Sequence, residues 1–196
     1  MFKRTLIFLA LFILSSIASS EDSSLKDKIL RIKNAIPGGD FVLHSSQGEF
    51  SLKQLRGKVV LLYFGYTKCP DICPTSLSTL SQALNELSED ELKSVQAVFV
   101  SVDPKRDSFQ TLDNYVSYFH PNLMGVTGSE SEIAVAAKQY GAQYEKIAIE
   151  GSSFGYTVDH SAVTYVITQT GELRFIFPHE TPSFAILEAI RYLLEE

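Results

Sequence analysis

The chain has two cysteines, Cys69 and Cys73, both in the segment Lys68-Cys69-Pro70-Asp71-Ile72-Cys73-Pro74. A disulfide closing so small a loop constrains the unfolded chain little, so the pair points to chemistry at sulfur rather than to a structural staple. Two uses fit the spacing. The sulfurs can join reversibly at about 2 Å, or both thiolates can ligate one soft ion. Cu(I) favours thiolate sulfur and accepts few ligands. Zinc normally takes four ligands, and a structural zinc site would bring more cysteines or histidines into the neighbourhood. The histidines are His44, His120, His160 and His179. His160, in Asp159-His160-Ser161, is the candidate third donor, and Asp159 is a candidate to orient its ring or offset the charge of an ion. By residue type alone, a lone histidine at a strand end is more often a surface or packing residue. His44, His120 and His179 read as structural or solvent-exposed.

These side chains need a strand and a helix to hold them. Lys58 to Tyr66 is a nearly continuous apolar run, too short for a helix and suited to a buried central strand. From Pro74 to Leu87, apolar residues recur at helical spacing, with Pro74 expected at the first helical position and Cys73 as the cap. A strand-to-helix turn places the sulfurs at a helix N-terminus, where free N–H groups and the dipole favour thiolates. Further strands are expected at Val95 to Val102, Leu123 to Val126, Tyr144 to Ala148, Ser161 to Thr168 and Glu172 to Phe177. Helices are expected over residues 108–119, 130–140 and 184–194. Phe41 to Phe50 reads as a hairpin turning at Gly48. Strands separated by helices imply parallel crossovers, and the last two strands imply an antiparallel hairpin. The fold class is α/β: a mixed sheet with helices on both faces and an N-terminal hairpin extension. Ligands of such sheets bind beyond the carboxyl ends of strands, where the cysteines lie.

The N-terminus reads as an export signal. Lys3 and Arg4 precede an unbroken apolar run from Leu6 to Leu14, and small residues from Ser15 to Ser20 offer a cleavage site. The run falls short of the roughly 20 residues of a membrane-spanning helix. Residues 1–20 are therefore expected to be a signal peptide, with an uncleaved membrane anchor as the competing outcome. Residues 21–39 read as a linker ending at Pro37-Gly38-Gly39, and 40–196 as the folded domain. The net charge of −6 argues against nucleic acid, whose phosphates require clustered Lys and Arg.

Three motifs in order resemble the Sco/SenC copper-chaperone family: Phe64-Gly65-Tyr66-Thr67-x-Cys69-Pro70-Asp71-x-Cys73-Pro74, then Ser101-Val102-Asp103-Pro104-x-Arg106-Asp107, then Asp159-His160-Ser161. The resemblance runs from about residue 40 to the C-terminus. It implies a thioredoxin-like domain with copper held by Cys69, Cys73 and His160. It also implies delivery of that copper, as Cu(I) or Cu(II), to the Cu(A) site of a cytochrome c oxidase subunit on the periplasmic or intermembrane side. The chain departs from thioredoxin oxidoreductases, which carry C-x-x-C and a proline ahead of the facing strand. Here the spacing is C-x-x-x-C, and no proline lies between Val158 and Thr168.

The functional expectation is an exported, periplasmic copper metallochaperone with a redox-switchable cysteine pair and a thiol reductant as partner. The alternative is a thiol-disulfide oxidoreductase that reduces the Cu(A) cysteines with the same pair and has no need of His160. A peroxidase is set aside, because Thr67 stands two residues before Cys69 rather than three. Asp103-Pro104 reads as a strand end, with Arg106 and Asp107 pairing at the surface or capping the next helix.

Overall fold

Strand β3 (Val59–Gly65) is buried along its whole length, which explains its unbroken apolar sequence. In the computed structural model, whose described residues are 36–149, 151 and 155–196, β3 is the middle strand of five. It pairs in parallel with β4 (Val95–Ser101), Val59 opposite Val95, and antiparallel with β8 (Val163–Ile167), Val60 opposite Ile167. Beyond β4 lies β5 (Leu123–Val126), parallel, and beyond β8 lies β9 (Leu173–Pro178), antiparallel.

The period of two along β3 divides the core. Val60, Leu62 and Phe64 point to one face, with Val98, Val100, Ile133 and Tyr165. Leu61 and Tyr63 point to the other, with Leu77, Leu80, Phe99, Leu112 and Ile190. Helices α1 (Ile72–Asn85), α3 (Phe109–Phe119) and α5 (Ser183–Leu194) cover the second face. Helix α4 (Glu130–Gln139) and the hairpin β1–β2 (Val42–Ser45, Gly48–Ser51) cover the first. Main-chain bonds between His44 and Thr127 tie the hairpin to the end of β5. The result is the expected thioredoxin-like mixed sheet with helices on both faces and an added N-terminal hairpin. Among the described residues no helix is long and apolar enough to cross a membrane. The expected signal segment lies outside the described residues.

Three local expectations change. Helix α1 starts at Ile72 with Asp71 as its N-cap. Cys73 therefore sits inside the first turn rather than at the cap, and Pro74 takes the third position. Proline is tolerated there because the first four N–H groups have no intrahelical acceptor. A short helix, α2 (Glu89–Lys93), precedes β4, opened by a capping box between Ser88 and Glu91. Finally, His160, directly ahead of the expected strand Ser161 to Thr168, belongs to a strand of its own. It ends strand β7 (Tyr156–His160), which forms a separate antiparallel hairpin with β6 (Tyr144–Ala148), Tyr144 opposite His160.

Candidate metal centre

Strand β3 ends at Gly65, and the chain turns at Tyr66 to Cys69, closed by the Cys69 N–H donating to the Tyr66 carbonyl at 3.2 Å. Gly65 is required by contact. A Cβ there would lie 2.7 Å from Cys73 Sγ and 2.8 Å from the Phe99 ring. Cys73 is fully buried beneath this turn, whereas Cys69 is half-buried and lines an open pocket of about 360 Å³ with Tyr66, Ile72, Ile147 and His160.

Nε2 of His160 lies 3.2 Å from Cys73 Sγ and 3.8 Å from Cys69 Sγ. The two sulfurs and the imidazole nitrogen all fall within 4.8 Å of one another. The other ring nitrogen, Nδ1, is 3.2 Å from the Ser161 carbonyl oxygen. A carbonyl only accepts, so in the neutral ring Nδ1 carries the proton and the Nε2 lone pair faces the sulfurs, as a ligand requires. The Tyr63 and Tyr66 rings meet the imidazole edge-on, at centroid distances of 6.1 and 5.8 Å, and fix its plane.

Asp159 is exposed at the mouth and lines the same pocket. The expectation that it orients the imidazole is corrected by the Ser161 carbonyl, which occupies that position at Nδ1. The other histidines are engaged elsewhere: His44 with Glu132, His120 with the Asn122 N–H and His179 with Ser76.

The cysteines differ electrostatically. The hydrogen bond from the Cys73 thiol, with support from the backbone N–H groups of Cys73 and Asp71, holds Cys69 far below the ordinary thiol range. Burial opposes this without cancelling it. Cys73 moves the other way, because its proton is shared with Cys69, its site is dry and the Cys69 charge is close. The pair therefore holds one proton, on Cys73, and presents a thiolate at the accessible sulfur. Iodoacetamide should modify Cys69 at pH 6, well below the ordinary thiol range, and leave Cys73 unmodified in the folded protein. Peptide mapping reads this. Equal labelling of both sulfurs, rising only above pH 8, would contradict it.

The residues between the two ends of the site were underestimated by sequence. Asp107 is buried and accepts three hydrogen bonds: from the Thr67 N–H at 2.9 Å, the Thr67 hydroxyl at 2.6 Å and the Ser101 hydroxyl at 2.6 Å. It pins the cysteine turn to the end of β4. Ser108, not Asp107, caps α3. Asp103, also buried, accepts from the Arg106 Nε–H and, at 2.6 Å, from the Tyr156 hydroxyl. The sequence signals for this network are the motif Ser101-Val102-Asp103-Pro104-x-Arg106-Asp107 and the density of polar residues directly after a buried strand.

A thioredoxin-like domain with two cysteines and a histidine gathered at the carboxyl end of its central strand defines a class: proteins that bind a soft metal or exchange thiols at that point. The SCO1/SenC family description matches residues 31–195. The chain belongs to the SCO1/SenC family. It is 33% identical over 183 residues to the SCO2-like protein of Rickettsia felis, an alignment covering 93% of this chain and 89% of that one. The copper-bound ScoI of Arabidopsis thaliana superposes with a TM-score of 0.74 at 37% identity, covering 81% of this chain and 98% of that one. Apo Sco1 of Thermus thermophilus does so with a TM-score of 0.74 at 38% identity, covering 81% and 92%.

Proposed function

We propose that this protein is an exported copper metallochaperone that carries copper on Cys69, Cys73 and His160 and delivers it to the Cu(A) site of cytochrome c oxidase. The observation that carries the reading is the convergence of two sulfurs and one imidazole nitrogen within 4.8 Å. The copper-bound state of the Arabidopsis relative supports the choice of ion. Residues 1–20 direct the chain to the periplasm, either by cleavage or as a retained anchor in the inner membrane.

Each group has a task. The Cys69 thiolate, reachable from the pocket, takes the ion first. Cys73 then gives up its proton and closes the second sulfur bond from below. The His160 lone pair completes the set from the hairpin side, and Asp159 at the mouth lowers the cost of the ion's positive charge. Because the site is open on the side of Ile72 and Ile147, an acceptor thiolate can enter and displace these ligands one at a time. Joining the sulfurs as a disulfide removes two electrons and the one proton the metal-free pair holds and leaves no thiolate, so a thiol partner must return two electrons to restore the binding state.

The asymmetric protonation of the pair favours a second reading, a thiol-disulfide oxidoreductase acting on the oxidase cysteines. His160→Ala separates the two. Two thiolates can hold Cu(I) without the imidazole, so the variant should still bind copper but lose at least the roughly 10- to 100-fold in affinity that removing a group behind a ligand costs. Competition against a chromogenic chelator measures it. Disulfide exchange with a small dithiol should persist. Unchanged copper affinity would count against the three-ligand set and leave the oxidoreductase reading standing.

A further inference from the structure

The histidine and the cysteines reach the site on separate pieces of chain, and something must keep them in register. The β6–β7 hairpin that carries His160 is weakly anchored by apolar packing. From Glu145 to Ala148 it is exposed, and Val158 is its one buried residue. A lone two-stranded hairpin is at best marginally stable, so polar contacts must hold it. One ties β6 to α4, the Lys146 ammonium donating to Glu130 at 2.9 Å, and those on the side of the cysteine turn meet at Arg106. The Nη1–H of Arg106 donates to the Tyr156 carbonyl at 2.8 Å, its guanidinium carbon lies 3.8 Å from the centre of the Tyr156 ring, and its Nε–H donates to Asp103, which also receives the Tyr156 hydroxyl. The same guanidinium lies 5.5 Å from the centre of the Tyr66 ring. Tyr66 opens the cysteine turn, packs edge-on against His160 and shares a 3.0 Å hydrogen bond with Thr157 of β7.

We infer that Arg106 is a positioning residue for His160: its guanidinium clamps the hairpin to the cysteine turn and thereby sets the separation between imidazole and sulfurs. The planar fork makes this possible. One nitrogen serves Asp103, another the hairpin backbone, and the flat face stacks on an aromatic ring, a combination lysine cannot reproduce. The inference rests on the copper-ligand reading for its consequence, but the clamp itself exists without metal.

The test joins two measurements on Arg106→Gln and on Tyr156→Leu. The second variant breaks the stack and the hydroxyl bond while leaving the Arg106–Asp103 pair intact, so it survives if the first fails to fold. Cu(I) affinity should fall roughly tenfold in either variant. In a His160→Ala background the same changes should cost nothing further, because a residue acting through the imidazole has no effect once the imidazole is gone. In metal-free protein, the backbone amides of β7 should exchange with deuterium faster in both variants, while those of β3 keep their protection. Arg106→Lys should recover only part of the affinity. Losses that add to His160→Ala, or unchanged β7 exchange, would overturn the clamp. If His160→Ala itself leaves copper affinity intact, the ligand reading fails, and β7 exchange alone decides whether Arg106 holds the hairpin.

Discussion

Cys73→Ser is expected to abolish tight Cu(I) binding while the fold survives. Cys73 is fully buried against Gly65 and Phe99, and serine occupies slightly less space without adding a clash. The new hydroxyl still has Nε2 of His160 as an acceptor, which limits the cost of burying it to the lower part of the roughly 1–3 kcal/mol range for polar burial. Its oxygen is hard, however, and stays protonated, so a two-thiolate site becomes a one-thiolate site. Removing a ligand must cost more than removing a group that only orients one, so the loss should exceed about 100-fold. A chelator competition titration beside a thermal scan reads both quantities. Parental protein should bind one copper per chain. Retention of Cu(I) affinity within tenfold of the parent would remove the basis for a metal site here.

Asp107→Ala is expected to be the most destabilising single change near the site. The carboxylate is buried and serves three donors on two elements, Thr67 of the cysteine turn and Ser101 at the end of β4. Alanine leaves three polar groups without their partner, at about 1–3 kcal/mol for each that water cannot reach. Some water entry will relieve part of this, so a loss of about 3–5 kcal/mol in metal-free protein is expected. At 2–4 °C per kcal/mol that corresponds to a Tm lower by about 10 °C. Asp107→Asn keeps the shape and the oxygen that accepts from the Thr67 N–H and the Ser101 hydroxyl, and the Thr67 hydroxyl can rotate to accept from the new amide, so it should lose less than half as much. Because Thr67 stands two residues before Cys69, copper affinity should fall together with stability in the alanine variant. A Tm within 2 °C of the parent would show that the network around Asp107 is dispensable.

Several elements were legible for simple reasons. The apolar run of β3 admits no solvent-facing side, so it could only be a central strand. The Ser129–Glu132 capping box marks the start of α4 as clearly in sequence as in structure. The same signal at Ser88–Glu91 opens a helix of only five residues, too short to show apolar periodicity. The start of α1 was misjudged by two residues. Proline is allowed anywhere in a first turn, so Pro74 bounds the helix start without locating it. Strand β7 was missed because it buries a single residue, Val158, and leaves almost no alternation to read.

The amino-acid order by itself determined the strand-to-helix turn that carries both cysteines. That arrangement is local: a buried strand, a tight turn and a helix start follow one another within a few residues, and their propensities agree. The order also determined which thiols are available, since the chain has no other cysteine. Only the tertiary structure decided that His160 faces them, that its Nδ1 is held by the Ser161 carbonyl rather than by Asp159, and that Asp103, Arg106 and Asp107 lock the two halves together. The contacts that join the cysteine turn, the end of β4 and strand β7 to one another link residues 40 to 91 positions apart. No local preference encodes them. They exist because the sheet order places the ends of β3 and β4 beside the β6–β7 hairpin, and a buried carboxylate or guanidinium there must find partners from whatever chain the fold brings near.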